Sequence, residues 1–150
     1  MSDDDLALGL QAPILGESEA PKDAVILRIR ASELFSVVPG QSPSVRVARV
    51  RLSGKAGIRD LAAPPDGRLV ILSGSLQQHP SVLQELFLVT PSEQPIWPAQ
   101  IIPTQITPPS SDAKAVGIAV LRVSGRTLSI LVLFENAERD KPVEHTIQLP

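Results

Sequence analysis

Short apolar runs rich in β-branched residues recur along the chain, separated by Pro, Gly, Ser and Asp. Several alternate with polar residues at a period of two, which puts successive side chains on opposite faces of a strand. Leu6 to Ile14 opens the pattern and is followed by a polar connection, "LGESEAPKD". "AVILRIRASEL" ends in alternation, with Ile26, Arg28 and Arg30 on one side and Leu27 and Ile29 on the other. After a turn at "PGQSPS", "SVRVARVRLSG" sets Val45, Val47, Val50 and Leu52 against Arg46, Arg49 and Arg51. A one-residue slip near Ala48-Arg49 fits a β-bulge, with the arginines on a solvated or interface face.

Next, "GIRDLA" reads as a strand, "PPDG" as a turn and "RLVILSGSL" as a buried strand. "SVLQELFLVTPS" carries helical spacing at Val82, Leu83, Leu86 and Phe87. Pro80 and Pro91 bracket only ten residues, however, so "ELFLVT" is read as a strand. "PAQIIPTQITPPSSD" adds a strand interrupted at Pro103 and then a loop. "VGIAVLRVSGRTLSILVLFEN" repeats the earlier pattern, and "KPVEHTIQLP" closes with one short strand.

Two stretches share a design. "GIRDLAAPPDGRLVILSG" and "GIAVLRVSGRTLSILVLF" each begin Gly-Ile, run a short strand, turn on a Gly-Arg step (Gly67-Arg68, Gly125-Arg126) and resume in a longer apolar strand. Gly57 and Gly117 are 60 residues apart (117 − 57). That exceeds the roughly 40–50 residues of common propeller repeats, and the Pro-rich loops account for the excess. Repeated antiparallel four-stranded units predict an all-β fold, a partial β-propeller in a single domain. Strand counting gives an incomplete blade over roughly 5–54 (second, third and outer strands). A full blade follows over 55–110, then an incomplete one over 111–150 (inner, second and third). These make about two and a half blades where a ring takes about four to eight, so a fragment of a longer protein is expected.

Composition narrows the picture. A chain of 150 residues with 43% hydrophobic content is long enough for one domain with a real core. Fifteen prolines disfavour long helices, and one Trp, three Phe and no Tyr leave Val, Ile and Leu to fill that core. A net charge of -2 offers no footprint for nucleic acid. Without cysteine there is no disulfide, thiolate-zinc site or cysteine nucleophile. The N-terminal stretch lacks a basic start and a long apolar run, so neither a secretory signal nor a membrane span is expected, and cytoplasmic location is the default. In the run Asp3-Asp4-Asp5, consecutive side chains point to opposite faces of an extended chain, which favours a solvated terminus over a metal site.

"LALGLQAPIL…AVILRIR", "AGIRDLAAPPDGRLVILSGSL", "KAVGIAVLRV" and "LSILVLFENAERDKPVEHTIQLP" together resemble the C-terminal half of the domain-of-unknown-function 3616 propellers, over most of residues 5–150. The resemblance implies a fold and no established activity. It implies an architecture similar to phytase-like and esterase-like propellers, where acidic residues on inner strands face a central channel. The family usually carries an acidic residue just before the glycine of "KAVGIAVL", and here Val116 stands there. A valine neither binds a metal nor transfers a proton.

The binding candidates are Arg59 and Asp60, either a pair facing a ligand near the propeller axis or residues that satisfy strand ends and inter-blade loops. Ser73, Ser75 and His79 suggest a hydrolase with Asp60, but their spacing is no nucleophile elbow and loop residues after a strand explain them. His145 is a lone histidine and makes no metal site. Trp97, flanked by prolines, is expected as a core plug or blade contact more than as a binding platform. The expectation is a non-catalytic structural or binding module without cofactor or metal. Its partner is a second copy or a chain supplying the missing blades, with no nucleic acid or membrane involved. The alternative is a divalent-cation-dependent phytase-like or esterase-like hydrolase completed by another chain or a missing N-terminal half.

Overall fold

The structure is a computed structural model that describes residues 4–12, 23–36, 38, 40–52, 56–74, 84–103, 106–110, 113–135 and 142–149. Strands dominate it, joined by turns that the sequence marks with glycine. Gly67 (φ +80°) and Gly125 (φ +57°) occupy the left-handed region at the two Gly-Arg steps, a conformation strained for any side chain with a Cβ.

The strands form three sheets. In sheet A, β1 (Asp5–Gly9), β2 (Asp23–Arg30) and β3 (Val45–Arg51) pair antiparallel in sequence order, and the two-residue β7 (Ile96–Trp97) adds parallel to β3. Sheet B is an antiparallel meander of β4 (Gly57–Ala62), β5 (Leu69–Gly74), β6 (Glu85–Val89) and β8 (Ala99–Ile102). Sheet C is a second meander, of β9 (Lys114–Ser124), β10 (Thr127–Glu135) and β11 (Val143–Gln148). One short helix, α1 (Ala31–Phe35), follows β2. Among the described residues no helix is long and apolar enough to cross a membrane.

Sheet B lies between the other two. Ile58, Leu69, Ile71, Phe87 and Val89 pack against Ala24, Ile26, Ala48, Val50 and Trp97 of sheet A. From the opposite face, Val70, Leu72, Leu86 and Leu88 pack against Ile118, Leu128, Ile130 and Val132 of sheet C. Every residue of β5 is therefore buried, which is why "LVILSG" shows no alternation. The leading strands of the three sheets stand side by side, β1 against β4 and β4 against β9.

The loop between β6 and β8 makes an excursion to sheet A. There Pro95 O accepts from Arg49 N (2.8 Å), and Trp97, 1% exposed, enters the core while its Nε1 donates to Ser92 O (2.8 Å). Trp97 is thus a core plug, as its setting among prolines suggests.

Four expectations need correction. No bulge occurs at Ala48-Arg49, because the β2–β3 register runs unbroken from Asp23↔Arg51 to Ile29↔Val45. Ala48 continues the buried face with Val50 and Leu52, leaving Val45 and Val47 exposed on the other side. "ASELF" forms α1 and does not prolong the strand; Asp4 reaches it from 28 residues away, its Oδ1 accepting from Ser32 N (2.9 Å) and its Oδ2 from Ser32 Oγ. The acidic run is not simply a solvated terminus either. Asp5 is buried beside Arg28 (3.0 Å) and lies 3.9 Å from Arg46, and Glu93 sits 3.8 Å from each of those arginines. Finally, β11 and the expected strand "ELFLVT" are present, but sheet A draws its fourth strand from residues 96–97, outside the span 5–54.

Candidate functional site

Arg59 and Asp60 lie where β4 faces β9. Ile58 pairs with Ser73 and Asp60 with Leu72, so Arg59 is the extra residue of a β-bulge. Both side chains reach sheet C. Asp60 Oδ2 accepts from Ile118 N (2.7 Å) and Oδ1 from Leu61 N (2.8 Å). Arg59 Nη1 donates to Ala115 O (3.4 Å) and lies 3.9 Å from the Glu135 carboxylate. The guanidinium stem crosses Gly74, where a Cβ would stand 2.7 Å from Arg59 Nε. Gly74 is what lets the arginine lie flat over the sheet.

The facing strand is bulged as well. Leu133 pairs with Gly117 and Phe134 with Ala115, so Val116 is passed over by the ladder. β9 is also the edge strand of its sheet, so the main-chain groups it turns away from β10 need other partners, and side chains of β4 and of the residue before β6 supply them. The amide of Gln84 donates through Nε2 to Ala115 O and accepts through Oε1 from Ala115 N, both at 2.9 Å, much as a neighbouring strand would. Together Asp60, Arg59 and Gln84 fasten sheet B to the backbone of β9 between Ala115 and Ile118.

The remaining candidates do not join this group. Ser73 is fully buried and its hydroxyl donates to Glu85 O (3.2 Å), while Ser75 and His79 lie outside the described residues. His145 sits on β11 opposite Ile130, its Nε2 buried and without a hydrogen-bond partner among the described residues. Val116 is half-buried at its bulge. Among the described residues no three His, Cys, Asp or Glu side chains gather as a metal cluster.

A second polar group lies on sheet A. Arg28 and Arg46 are direct cross-strand partners, a like-charge pair that is unfavourable alone. Asp5 and Glu93 lie close to both, and Arg28 stacks over Trp97 with its guanidinium carbon 5.4 Å from the ring centroid. The result is a clamp that holds the 90–98 loop on sheet A. Glu33 Oε2 accepting from Ser44 N (3.0 Å) ties α1 to the approach of β3 in the same way.

The sequence pattern marks Arg59, Asp60 and Trp97, and Asp5 only as part of a solvated acidic run; it does not mark Gln84 or Glu93. Glu93 meets arginines far from it in the chain, and Gln84 meets a backbone, so neither carries a local signal. No known protein family, curated protein or solved structure matches this chain.

Proposed function

We propose that this chain is a non-catalytic, propeller-like structural or binding module. One observation carries the reading: both oxygens of the Asp60 carboxylate are engaged by main-chain N–H groups, one of them on the neighbouring sheet. A carboxylate that serves a cation or shuttles a proton needs lone pairs turned toward its substrate. Arg59 is likewise directed at a backbone carbonyl and a carboxylate of sheet C.

The propeller element of the proposal draws on successive antiparallel sheets packed face to face with their leading strands adjacent. The sequence resemblance to the domain-of-unknown-function 3616 propellers points the same way. On this reading β1, β4 and β9 are inner strands, so β1 takes the inner place and not the second. Three described sheets are fewer than the roughly four to eight of a ring, so the module works with sheets from elsewhere.

The test is a panel of phosphomonoesters and carboxyl esters, with and without calcium, on the unaltered chain and on Asp60→Asn. No turnover above buffer is expected. Turnover that is lost in Asp60→Asn, with that variant still folded by circular dichroism, would restore the hydrolase alternative.

A further inference from the structure

We infer that the outward face of sheet A docks on the outward face of sheet C in a second copy of this chain, so that two chains close a ring of six sheets. The inference rests on the propeller reading and names the partner that reading requires.

On the side of sheet A turned away from sheet B, Leu8, Val45, Val47 and Ile96 are between 43% and 56% exposed. The strand register sets them in two cross-strand rows, Leu8, Leu27 and Val47 and then Leu6, Ile29 and Val45, in which Leu27 is half-buried and Ile29 buried on the middle strand. Isolated exposed aliphatics are ordinary, but four on one face of a sheet, on β1, β3 and β7, mark a contact surface. Arg49, beside Ile96 in the register, borders it.

The outward side of sheet C is its counterpart. Leu133 is 44% exposed and Leu131 half-buried, with Leu121 (51% exposed) on the adjoining strand. Glu144 stands directly opposite Leu131 on β11, so this apolar patch has an acid at its border where sheet A has a base. Arg122 lies opposite Ser129, a row from Leu131 and next to Leu121. Inside the chain the order of stacking is A, B, C, with B covered on both faces. A second copy continues that order by placing its A on the free face of C. Six sheets fall within the roughly four to eight that close a ring.

Magnitudes favour closure over an open string. Three strands by six residues cover about 14 Å by 20 Å, or about 300 Å² per face, at ordinary strand spacing and rise. One A–C contact buries two such faces, about 600 Å², below the roughly 800 Å² that marks incidental contacts. A closed pair has two contacts and about 1,200 Å², the lower bound for a stable specific interface.

The experiment is light scattering after size-exclusion chromatography at micromolar concentration, on the unaltered chain, Val47→Glu, Leu133→Lys and an equimolar mixture of the two variants. Both substitutions fall at exposed positions, and far-ultraviolet circular dichroism verifies that each variant keeps its strands. The unaltered chain is expected as a dimer of the 16.0 kDa chain. Each variant alone is expected to be monomeric, its association weakened by about a hundredfold because a charge meets an apolar face. In the mixture the dimer returns, since one contact is unaltered and the other opposes Glu to Lys. A monomeric unaltered chain, an open series of larger species, or a Leu133→Lys variant that still dimerises would each overturn the inference. The last of these would mean that two sheet A faces pack on each other. None of the three bears on the catalytic assay above, where the module reading fails separately.

Discussion

Replacing Asp60 by alanine removes the acceptor of two main-chain donors at once. Ile118, whose N–H is held at 2.7 Å, is 7% exposed, so that N–H has little access to water once the carboxylate is gone. A buried donor left unsatisfied costs about 1–3 kcal/mol. Leu61 is half-buried, and its N–H can recover part of its bond from solvent, so a further loss of about 0.5–1 kcal/mol is expected there. The sum is about 3 kcal/mol. In urea, with a slope of about 2 kcal/mol per molar, the unfolding midpoint falls by about 1.5 M at constant slope. Asparagine at the same position keeps the size and offers a single oxygen, so Asp60→Asn is expected between alanine and the unaltered chain. The assay is equilibrium urea unfolding followed by far-ultraviolet circular dichroism. A midpoint for Asp60→Ala within about 0.3 M of the unaltered chain, at unchanged slope, would refute the assignment of this carboxylate as a tie between sheets.

Gly57→Ala places a Cβ 2.0 Å from Gln11 O, a main-chain atom that cannot rotate away, and is expected to destabilise by about 3 kcal/mol in the same assay. Gly67→Ala meets nothing within 4 Å and bears only the strain of a positive φ, about 1–2 kcal/mol. Trp97→Phe loses the Nε1 bond to Ser92 O and leaves a void at a site 1% exposed; a loss of about 2 kcal/mol is expected, read as an earlier thermal midpoint. Asp4 is held below its ordinary value of 3.8 by its hydrogen bonds from Ser32, so its contribution to stability is present above that value and fades as the pH falls through the lower folded value. The difference in unfolding midpoint between the unaltered chain and Asp4→Ala is therefore expected at pH 7 and should vanish in a titration taken well below pH 3.8.

What could be read from the chain beforehand was what depends on neighbouring residues. The solid apolar run of β5 and the glycines of the two Gly-Arg turns each follow from a local rule and are where the sequence places them, whereas β2 forms its strand but is buried on both faces and does not alternate. The bulges were a different matter. A bulge is a mismatch between two strands, so the Val and Leu pattern suggests a slip at Ala48 where the ladder runs unbroken, while the bulges at Arg59 and Val116 leave no mark in "GIRDLA" or "KAVGIAVL". Asp60 drew attention as a charged residue among apolar ones, but its partner is a backbone N–H 58 residues away, and a backbone group has no sequence signature. The same holds for Gln84, which bonds to the main chain of Ala115, and for Asp4, which caps a helix whose own N-cap residue offers no side-chain bond.

The stretch 96–102 gives its first two residues to the ladder of sheet A and its last four to that of sheet B, with Pro98 between them offering no N–H to either. Sheets A and B are thereby threaded on one length of main chain, and drawing them apart must open one ladder or the other. Among the described residues sheet C shares no ladder with sheet B; packed side chains and the bonds of Asp60, Arg59 and Gln84 hold it there. In the native ensemble A and B are therefore expected to open as one cooperative unit and C as another. Amide hydrogen exchange would register this as two families of opening free energies, with β7 amides moving with those of β6 and β8 despite belonging to the other sheet.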